Sequence, residues 1–111
     1  MGNNSIDHYY KIINVIERNP DYSQRKIAKE LGYSLGKVNY VIASLAQKGI
    51  IKLQRFVRSE NKLGYRYILT PEGIKQKYKI TKAFLKMKMD EYDNILKEIE
   101  GAQEVLKNGS S

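Results

Sequence analysis

The sequence lacks several residue types on which catalytic and metal sites depend. It contains no cysteine, which excludes disulfide bonds, thiolate metal sites and cysteine nucleophiles. Its single histidine, His8, leaves no histidine pair for zinc and no imidazole to spare for a catalytic triad. No carboxylate pair, nucleophile–base pair or phosphate-binding loop stands out either. We therefore predict a protein that is not an enzyme and that uses neither a metal nor a cofactor.

Long apolar runs are also missing. No run approaches the roughly 20 residues that a membrane-spanning helix needs. The first four residues have neither the basic start nor the apolar stretch of a signal peptide. The length of 111 residues suits one domain of ordinary size. These features predict an intracellular, cytoplasmic protein that does not bind membranes.

Positive charge is abundant and unevenly distributed. Residues 1–88 hold 18 Lys and Arg against 6 Asp and Glu, whereas residues 89–111 hold 2 against 6. A basic front part suggests a polyanionic partner, either nucleic acid or an anionic membrane surface. The 29 residues between Glu30 and Glu60 contain five basic residues and no acid. An ordinary solvated helix face would carry acids there, so the pattern favours nucleic acid.

Apolar spacing and capping residues predict three helices in the first half of the chain. These helices run from Ser5, as the cap, to about Arg18, from Gln24 to Leu31, and from Leu35 to about Lys48. Ser23 and Ser34 can cap the second and third helices, and Gly32 supplies the positive φ that ends the second. The predicted inward stripes are Ile6, Tyr9, Tyr10, Ile13 and Ile16 on the first helix, and Leu35, Val38, Ile42 and Leu45 on the third.

The second half of the sequence predicts a hairpin and one long helix. Residues 50–57 and 65–69 are rich in β-forming side chains and flank a turn-like segment, 59–64. Thr70-Pro71-Glu72 then supplies a cap, a proline at the first helical position and an acid in the first turn. We predict a mainly α fold with a small β-hairpin. A winged helix-turn-helix DNA-binding domain would cover residues 5–70, and a C-terminal dimerisation helix would cover residues 71–107.

The third helix has an outward face that suits a DNA major groove. With its apolar stripe seated on the core, the remaining side is polar, slender at its N-terminal half and free of acids. An ordinary amphipathic helix with a solvated polar side is the alternative. We predict that four residues on this face read bases: Ser34, Lys37, Asn39 and Tyr40.

The segment that contains this helix resembles the helix-turn-helix of MarR-type winged-helix transcriptional regulators. The matching residues are Ile27-Ala28-Lys29-Glu30-Leu31-Gly32-Tyr33-Ser34, Gly36-Lys37-Val38-Asn39-Tyr40, Leu45 and Lys48-Gly49-Ile50-Ile51. Residues 65–74 and 82–86 extend the resemblance to a short subgroup associated with exopolysaccharide production. The resemblance implies double-stranded DNA as the partner and regulation of transcription, including that of exopolysaccharide genes. It leaves open whether a small-molecule effector modulates binding.

Basic residues also lie on the predicted wing and at the start of the second helix. A basic wing can lie along the DNA backbone or enter the minor groove, although charge on an edge strand also prevents aggregation. We predict backbone and wing contacts from Arg25, Lys26, Arg55, Arg58, Lys62 and Arg66. MarR wings often carry Asp-x-Arg near the tip, where this sequence has Glu60-Asn61-Lys62.

An apolar or tyrosine residue recurs every seven positions along the last helix, from Tyr78 to Leu106. A helix with such a stripe must pack on something, because it would otherwise expose apolar surface. We predict a homodimer through Leu85, Tyr92, Ile95, Ile99 and Leu106. Packing back on the first helix of the same chain is the alternative, and the direction of the helix pairing is left open.

The fold permits a second function. Winged helices also serve as docking subunits in larger assemblies, so a protein-interaction module is the alternative to a DNA-binding regulator. Binding to duplex DNA with sequence preference distinguishes the two.

Overall fold

Three helices form the first half of the fold. The computed structural model describes residues 3–57 and 63–109, apart from the side chains of residues 3, 4 and 63. Helix α1 spans Asn3–Arg18, α2 spans Gln24–Leu31 and α3 spans Leu35–Gln47. Because α1 begins at Asn3, Ser5 lies inside its first turn, and the prediction that Ser5 caps this helix is wrong.

The turn between α2 and α3 is built by the predicted capping residues. Ser23 Oγ accepts a hydrogen bond from the Lys26 amide at 3.2 Å, and Ser34 Oγ accepts one from the Lys37 amide at 3.1 Å. Gly32 ends α2 with a φ of 70°, a left-handed conformation that favours glycine, and its N–H bonds to Ala28 O. These local signals confirm the predicted helix-turn-helix.

The core lies where α1, α2 and α3 meet. Its fully buried side chains are Ile12, Ile13, Ile16, Ile27, Val38 and Leu45. Ile12 and Val15 are buried although the predicted stripe omits them, and Ile6 and Tyr10 are only half-buried. Leu35, which was expected in the core, is 44% exposed because it is the first residue of α3 and lies at the edge of the buried stripe.

A two-stranded antiparallel hairpin forms the wing. Strand β1 spans Ile51–Val57 and β2 spans Leu63–Leu69, with Ile51 opposite Leu69 and Val57 opposite Leu63. The second strand therefore begins two residues before the predicted position and shortens the expected turn at 59–64. The Tyr67 amide donates to the carbonyl of Pro20 at 3.2 Å, which attaches the hairpin to the α1–α2 connection.

The last helix, α4, spans Pro71–Gly109. Thr70 caps it, because its Oγ1 accepts from the Gly73 amide at 2.9 Å. Gly73 sits so close to β1 that a Cβ added to it would lie 2.0 Å from the Ile50 carbonyl oxygen. Only a residue without a side chain allows this approach, so the start of α4 is fixed against the start of the wing.

The first part of α4 packs on α1 of the same chain. We call residues 71–87 the proximal half and residues 88–109 the distal arm. Tyr10 and Phe84 stack with their ring centroids 4.0 Å apart, Lys77 pairs with Glu17, and Met87 is buried. Packing back on α1 thus holds for the proximal half, whereas the distal arm extends away from the rest of the chain and its residues are exposed.

The arm makes the molecule long, with extents of 77 × 27 × 22 Å. None of the helices in the described ranges combines the length and the apolarity that crossing a bilayer requires.

Candidate nucleic-acid interface

The outward face of α3 presents polar and small side chains to solvent. Asn39 and Tyr40 are exposed, and 74% of the Tyr40 surface is accessible. Gly36, Ala43 and Gln47 are exposed beside them, and the helix contains no acidic residue. Since Val38, Ile42 and Leu45 anchor the opposite side in the core, this face stands out from the domain as a ridge that a major groove can accommodate.

Ser34 lies at the N-terminal end of this ridge. Its side chain is committed to the helix, because Oγ accepts the hydrogen bond from the Lys37 amide. A hydroxyl group that accepts one hydrogen bond still has its own hydrogen to donate. Ser34 is exposed, so this hydrogen is available to a base edge or a phosphate.

Lys37 lies on the side of α3 that faces α1. Its ammonium group sits 4.3 Å from the centroid of the Tyr33 ring, a cation–π geometry, and the side chain is half-buried. The aromatic contact holds the positive charge near the start of the ridge. Lys37 and Asn39 therefore occupy opposite margins of the outward face.

Asn39 is held on the α2 side by a chain of hydrogen bonds. Its Nδ2 donates to Gln24 Oε1 at 3.2 Å, and Gln24 Nε2 donates to the Tyr67 hydroxyl at 3.1 Å. This chain joins α3, the first residue of α2 and the second wing strand. Of the predicted base-reading side chains, Asn39 is thus the one tied to the wing.

A cavity of about 530 Å³ opens between α1 and the α1-facing side of α3. Its lining residues are Ser5, His8, Tyr9, Lys37, Tyr40, Val41, Ser44 and Lys48. Tyr9 Oη lies 2.9 Å from Ser44 Oγ and accepts from Lys48 Nζ at 3.0 Å. Two lysines and no carboxylate contribute to this lining, which makes the margin of the ridge electropositive.

Two titratable groups respond to this environment. Burial by itself raises the pKa of Tyr9, but the hydrogen bonds from Ser44 and Lys48 and the charge of Lys48 outweigh it and lower the pKa below 10.0. Burial, and then the charge of Lys37, lower the pKa of His8 below 6.5. His8 also packs edge-on against Tyr33, with ring centroids 5.2 Å apart. The pKa of Tyr9 therefore follows its hydrogen bonds and the Lys48 charge against the effect of burial, whereas burial and the Lys37 charge act on His8 in the same direction.

The predicted backbone contacts fall into three groups. Arg25, Lys26 and Arg55 are exposed. Arg66 is half-buried, because its Nε donates to Gln54 Oε1 at 2.9 Å and its guanidinium lies 5.1 Å from the Phe56 ring centroid. Arg58 and Lys62 lie outside the described residues. Arg25 and Arg55 present exposed charges that a polyanion can approach, Lys26 is exposed but its Nζ lies 4.9 Å from the Tyr22 ring centroid, and Arg66 is partly occupied within the wing.

Sequence reasoning missed three residues of this region: Gln24, Lys48 and Tyr67. Gln24 and Tyr67 are 43 positions apart, so no local pattern connects them. Lys48 follows the last residue of α3, and the sequence predicted it only as the end of that helix. It lies 11 residues after Lys37, a spacing that places both lysines on one side of α3. That spacing is the one signal that could have identified it.

The predicted dimerisation residues lie on the exposed surface of α4. Leu85, Tyr92, Ile95, Ile99 and Leu106 are each at least half exposed. No three acidic or histidine side chains within residues 3–57 and 63–109 come together as ligands for one metal ion.

Comparison with known proteins agrees with this architecture. Residues 10–52 match the family model for a winged helix-turn-helix of the DNA-binding type. No curated protein matches the sequence. Among solved structures, a PadR-like transcriptional regulator from Bacillus cereus has a TM-score of 0.63 at 15% identity, over 80% of this chain and 90% of that one.

Two further structures cover more of this chain. The PcaV transcriptional regulator from Streptomyces coelicolor, in complex with its natural ligand, has a TM-score of 0.59 at 17% identity, over 87% of this chain and 73% of that one. MepR from S. aureus, in complex with DNA, has a TM-score of 0.56 at 21% identity, over 93% of this chain and 77% of that one. The chain therefore has a winged helix-turn-helix fold, which it shares with MarR and PadR-like transcriptional regulators.

Proposed function

We propose that the chain is a sequence-specific, double-stranded-DNA-binding transcriptional regulator that acts as a homodimer and has no catalytic activity. The observation that carries this proposal is the exposed ridge of α3, which has no acid and presents Asn39 and Tyr40 outward. A ridge of this kind can enter a major groove without bringing a carboxylate against the phosphates. The similarity in fold to MepR, whose structure was solved with DNA, supports the same mode of binding.

The residues divide into base-reading and backbone-contacting sets. Ser34, Lys37, Asn39 and Tyr40 read base edges. The backbone set consists of Arg25, Lys26, Arg55 and Arg66, together with Arg58 and Lys62. Lysine and arginine contacts to phosphates supply most of the affinity, and they make it depend steeply on salt, because each neutralised phosphate releases counterions.

Homodimerisation joins two such ridges. The winged domain, residues 5–70, binds DNA, and the helix at 71–107 holds the dimer together through its exposed apolar residues. Two α3 helices then meet successive major grooves about 34 Å apart, which requires a pseudo-palindromic site. The resemblance to the short subgroup supports exopolysaccharide genes as targets. In a cell without a nucleus such a regulator acts in the cytoplasm, which is the location proposed for this chain.

A protein-docking role is the second candidate. Three apolar or aromatic side chains of the wing, Leu53, Val57 and Tyr65, each expose more than half of their surface. Leu53 and Val57 lie two residues before and after Arg55 on β1, and Tyr65 is the residue opposite Arg55 on β2. Exposed apolar side chains on a hairpin suit a protein partner better than an anionic DNA backbone.

Selection of bound duplexes from a random pool at moderate salt tests the proposal. We expect enrichment of a pseudo-palindromic sequence, and the variant with Asn39→Ala and Tyr40→Ala should lose that enrichment while it keeps the fold. A matched control is Lys97→Ala in the distal arm, which should enrich the same sequence. If the wild-type protein enriches no sequence and binds duplex DNA no better than the double variant, the docking role is favoured.

A further inference from the structure

The proximal half of α4 has two different sides. The side that faces α1 carries Gly73, Ile80 and Met87, which are buried or half-buried. The opposite side carries Tyr78 and Leu85, which are 67% and 58% exposed. The heptad stripe of the distal arm continues this outward side, so one exposed stripe runs along the whole of α4.

A line of charged residues runs beside this stripe. Lys79, Lys86, Asp93 and Glu100 each follow a stripe residue by one position, so all four lie on the same flank of the helix. Lys107 follows Leu106 in the same way, so the sign of the charge changes between Lys86 and Asp93 and again between Glu100 and Lys107. Lys79 and Lys86 belong to the basic part of the chain, and Asp93 and Glu100 belong to its acidic end.

The direction of helix pairing decides which flanks meet. In an antiparallel pair of identical helices each flank meets the same flank of the other helix, whereas in a parallel pair opposite flanks meet. The opposite flank of this stripe carries Thr81, Lys88, Ile95 and Ala102. A parallel pair could therefore use only Lys88 as a partner for the acids, whereas an antiparallel pair can set Lys79 and Lys86 against Asp93 and Glu100.

We propose that α4 pairs antiparallel with α4 of a second copy, so that the distal arm of each chain lies on the outward side of the other chain's proximal half. This inference rests on the homodimer proposed above and adds its direction and register. Lys79 faces the partner's Glu100 and Lys86 faces the partner's Asp93. Symmetry repeats both pairs.

The same charges select one register. Lys79 and Glu100, and likewise Lys86 and Asp93, are equidistant from the point between Met89 and Asp90. A shift by one heptad in either direction places Lys86 opposite its own copy or Asp93 opposite its own copy, and like charges that face each other destabilise helix pairs. The antiparallel pairing is thus complementary in one register only.

Apolar layers fit this register. Leu85 packs against the partner's Leu96, and Met89 packs against the partner's Tyr92. All four residues are between 40% and 67% exposed in the single chain, so pairing removes apolar surface from water. The pairs that Lys86 and Lys88 make within the helix, with Asp90 and Glu91, are exposed and compete little.

Cysteine cross-linking tests the direction, because the chain has no cysteine of its own. Lys79→Cys and Glu100→Cys chains, co-expressed with different tags and treated with a short bismaleimide, should form a covalently linked heterodimer, while neither chain alone should cross-link. Leu106→Cys alone should remain uncross-linked. Cross-linking of Leu106→Cys with itself indicates a parallel pair and overturns the proposal, as does a dimer in which the Lys79→Cys and Glu100→Cys chains do not cross-link.

Charge reversal tests the register independently. Asp93→Lys with Glu100→Lys should raise the dissociation constant of the dimer about tenfold or more, and adding Lys79→Glu with Lys86→Glu to the same chain should restore it. The matched control is Glu98→Lys, on another side of the arm, which should leave the dissociation constant unchanged. Failure of the four-site variant to restore dimerisation overturns the register.

Light scattering on the wild-type protein separates this inference from the function on which it rests. A monomer at micromolar concentration overturns the homodimer itself. A dimer with the wrong cross-links overturns only its direction and leaves the proposed function in place.

Discussion

Asn39 Nδ2 and Gln24 Oε1 are joined by a hydrogen bond of 3.2 Å across the helix-turn-helix. Gln24 Nε2 in turn donates a hydrogen bond to the Tyr67 hydroxyl. The side-chain amide of Gln24 therefore links Asn39 on α3 to the wing. The bond leaves Asn39 Oδ1 and one Nδ2 hydrogen for a base edge. Gln24 therefore acts as a positioning residue that restricts the orientations of Asn39.

Replacing Gln24 with Ala should reduce sequence discrimination without removing DNA binding. Asn39 loses the hydrogen bond that orients it, so we expect a loss of about 1 kcal/mol at the base pair that Asn39 contacts, within the range of one base contact. Competition binding, with the selected duplex and its single-base variants, measures this loss. In an Asn39→Ala background the Gln24→Ala change should have no further effect at that base pair. Additive losses would show that Gln24 acts independently of Asn39.

Replacing Gly73 with Ala should destabilise the domain. The added Cβ would meet the Ile50 carbonyl oxygen at 2.0 Å, so backbone must shift at the junction of β1 and α4. Overpacking of this kind costs about 1–3 kcal/mol in the free energy of unfolding. Urea denaturation measures the change. The matched control is Gly36→Ala in α3, where no atom lies within 4 Å of the added Cβ and helix propensity should raise stability by about 0.5–1 kcal/mol. A stabilised Gly73→Ala variant would contradict the close approach.

Local signals in the sequence predicted the parts of the fold that are decided locally. Ser23, Ser34 and Gly32 cap and end their helices by bonds that span five residues or fewer, so their types and spacing suffice. The same reasoning failed for Leu35, because the apolar spacing identifies a helix face but not how far a neighbouring helix covers it.

The arrangement of the site could be predicted only in part. The sequence identified Asn39 and Tyr40 as residues of the outward face, because the apolar residues of α3 occupy the opposite side of the helix. The partner of Asn39 depends on how α2 and the wing pack, and such packing leaves no local pattern at Gln24 or Tyr67. The proximity of Lys48 to Tyr9, 39 positions away, is non-local in the same way.

Replacing Arg55 with Ala should weaken binding to all duplexes by a similar factor. Its charge is exposed on the wing strand, and in the proposed function it contacts a phosphate of the duplex. The slope of log K against log salt should fall in magnitude by about 1, because one fewer counterion is released. Titrations at several salt concentrations measure the slope, with Lys97→Ala as a charge-matched control that keeps the wild-type slope. An unchanged slope for Arg55→Ala would exclude a phosphate contact.

Acidification should destabilise the fold through His8. Its pKa is lowered in the folded chain by burial and by Lys37, with Asp7 opposing and Lys11 adding to the shift. The unfolded chain therefore binds the proton more readily, and stability falls as pH drops through 6.5 towards the folded pKa. Urea midpoints at pH 7.5 and 5.5 measure the fall, and His8→Gln should reduce it. An equal fall in both proteins would assign it to other groups.

The close approach of Gly73 to the Ile50 carbonyl oxygen fixes the position of α4 against the winged domain. Since α4 leaves the winged domain in one fixed direction, each residue inserted after Met87 would rotate and advance the rest of the helix by a fixed amount. One extra residue would rotate everything after it by about 100°, whereas seven would nearly restore the phase and lengthen the helix by about 10 Å. In the proposed homodimer, the distance between the two DNA half-sites could therefore change by whole heptads without any change in the residues proposed to read them.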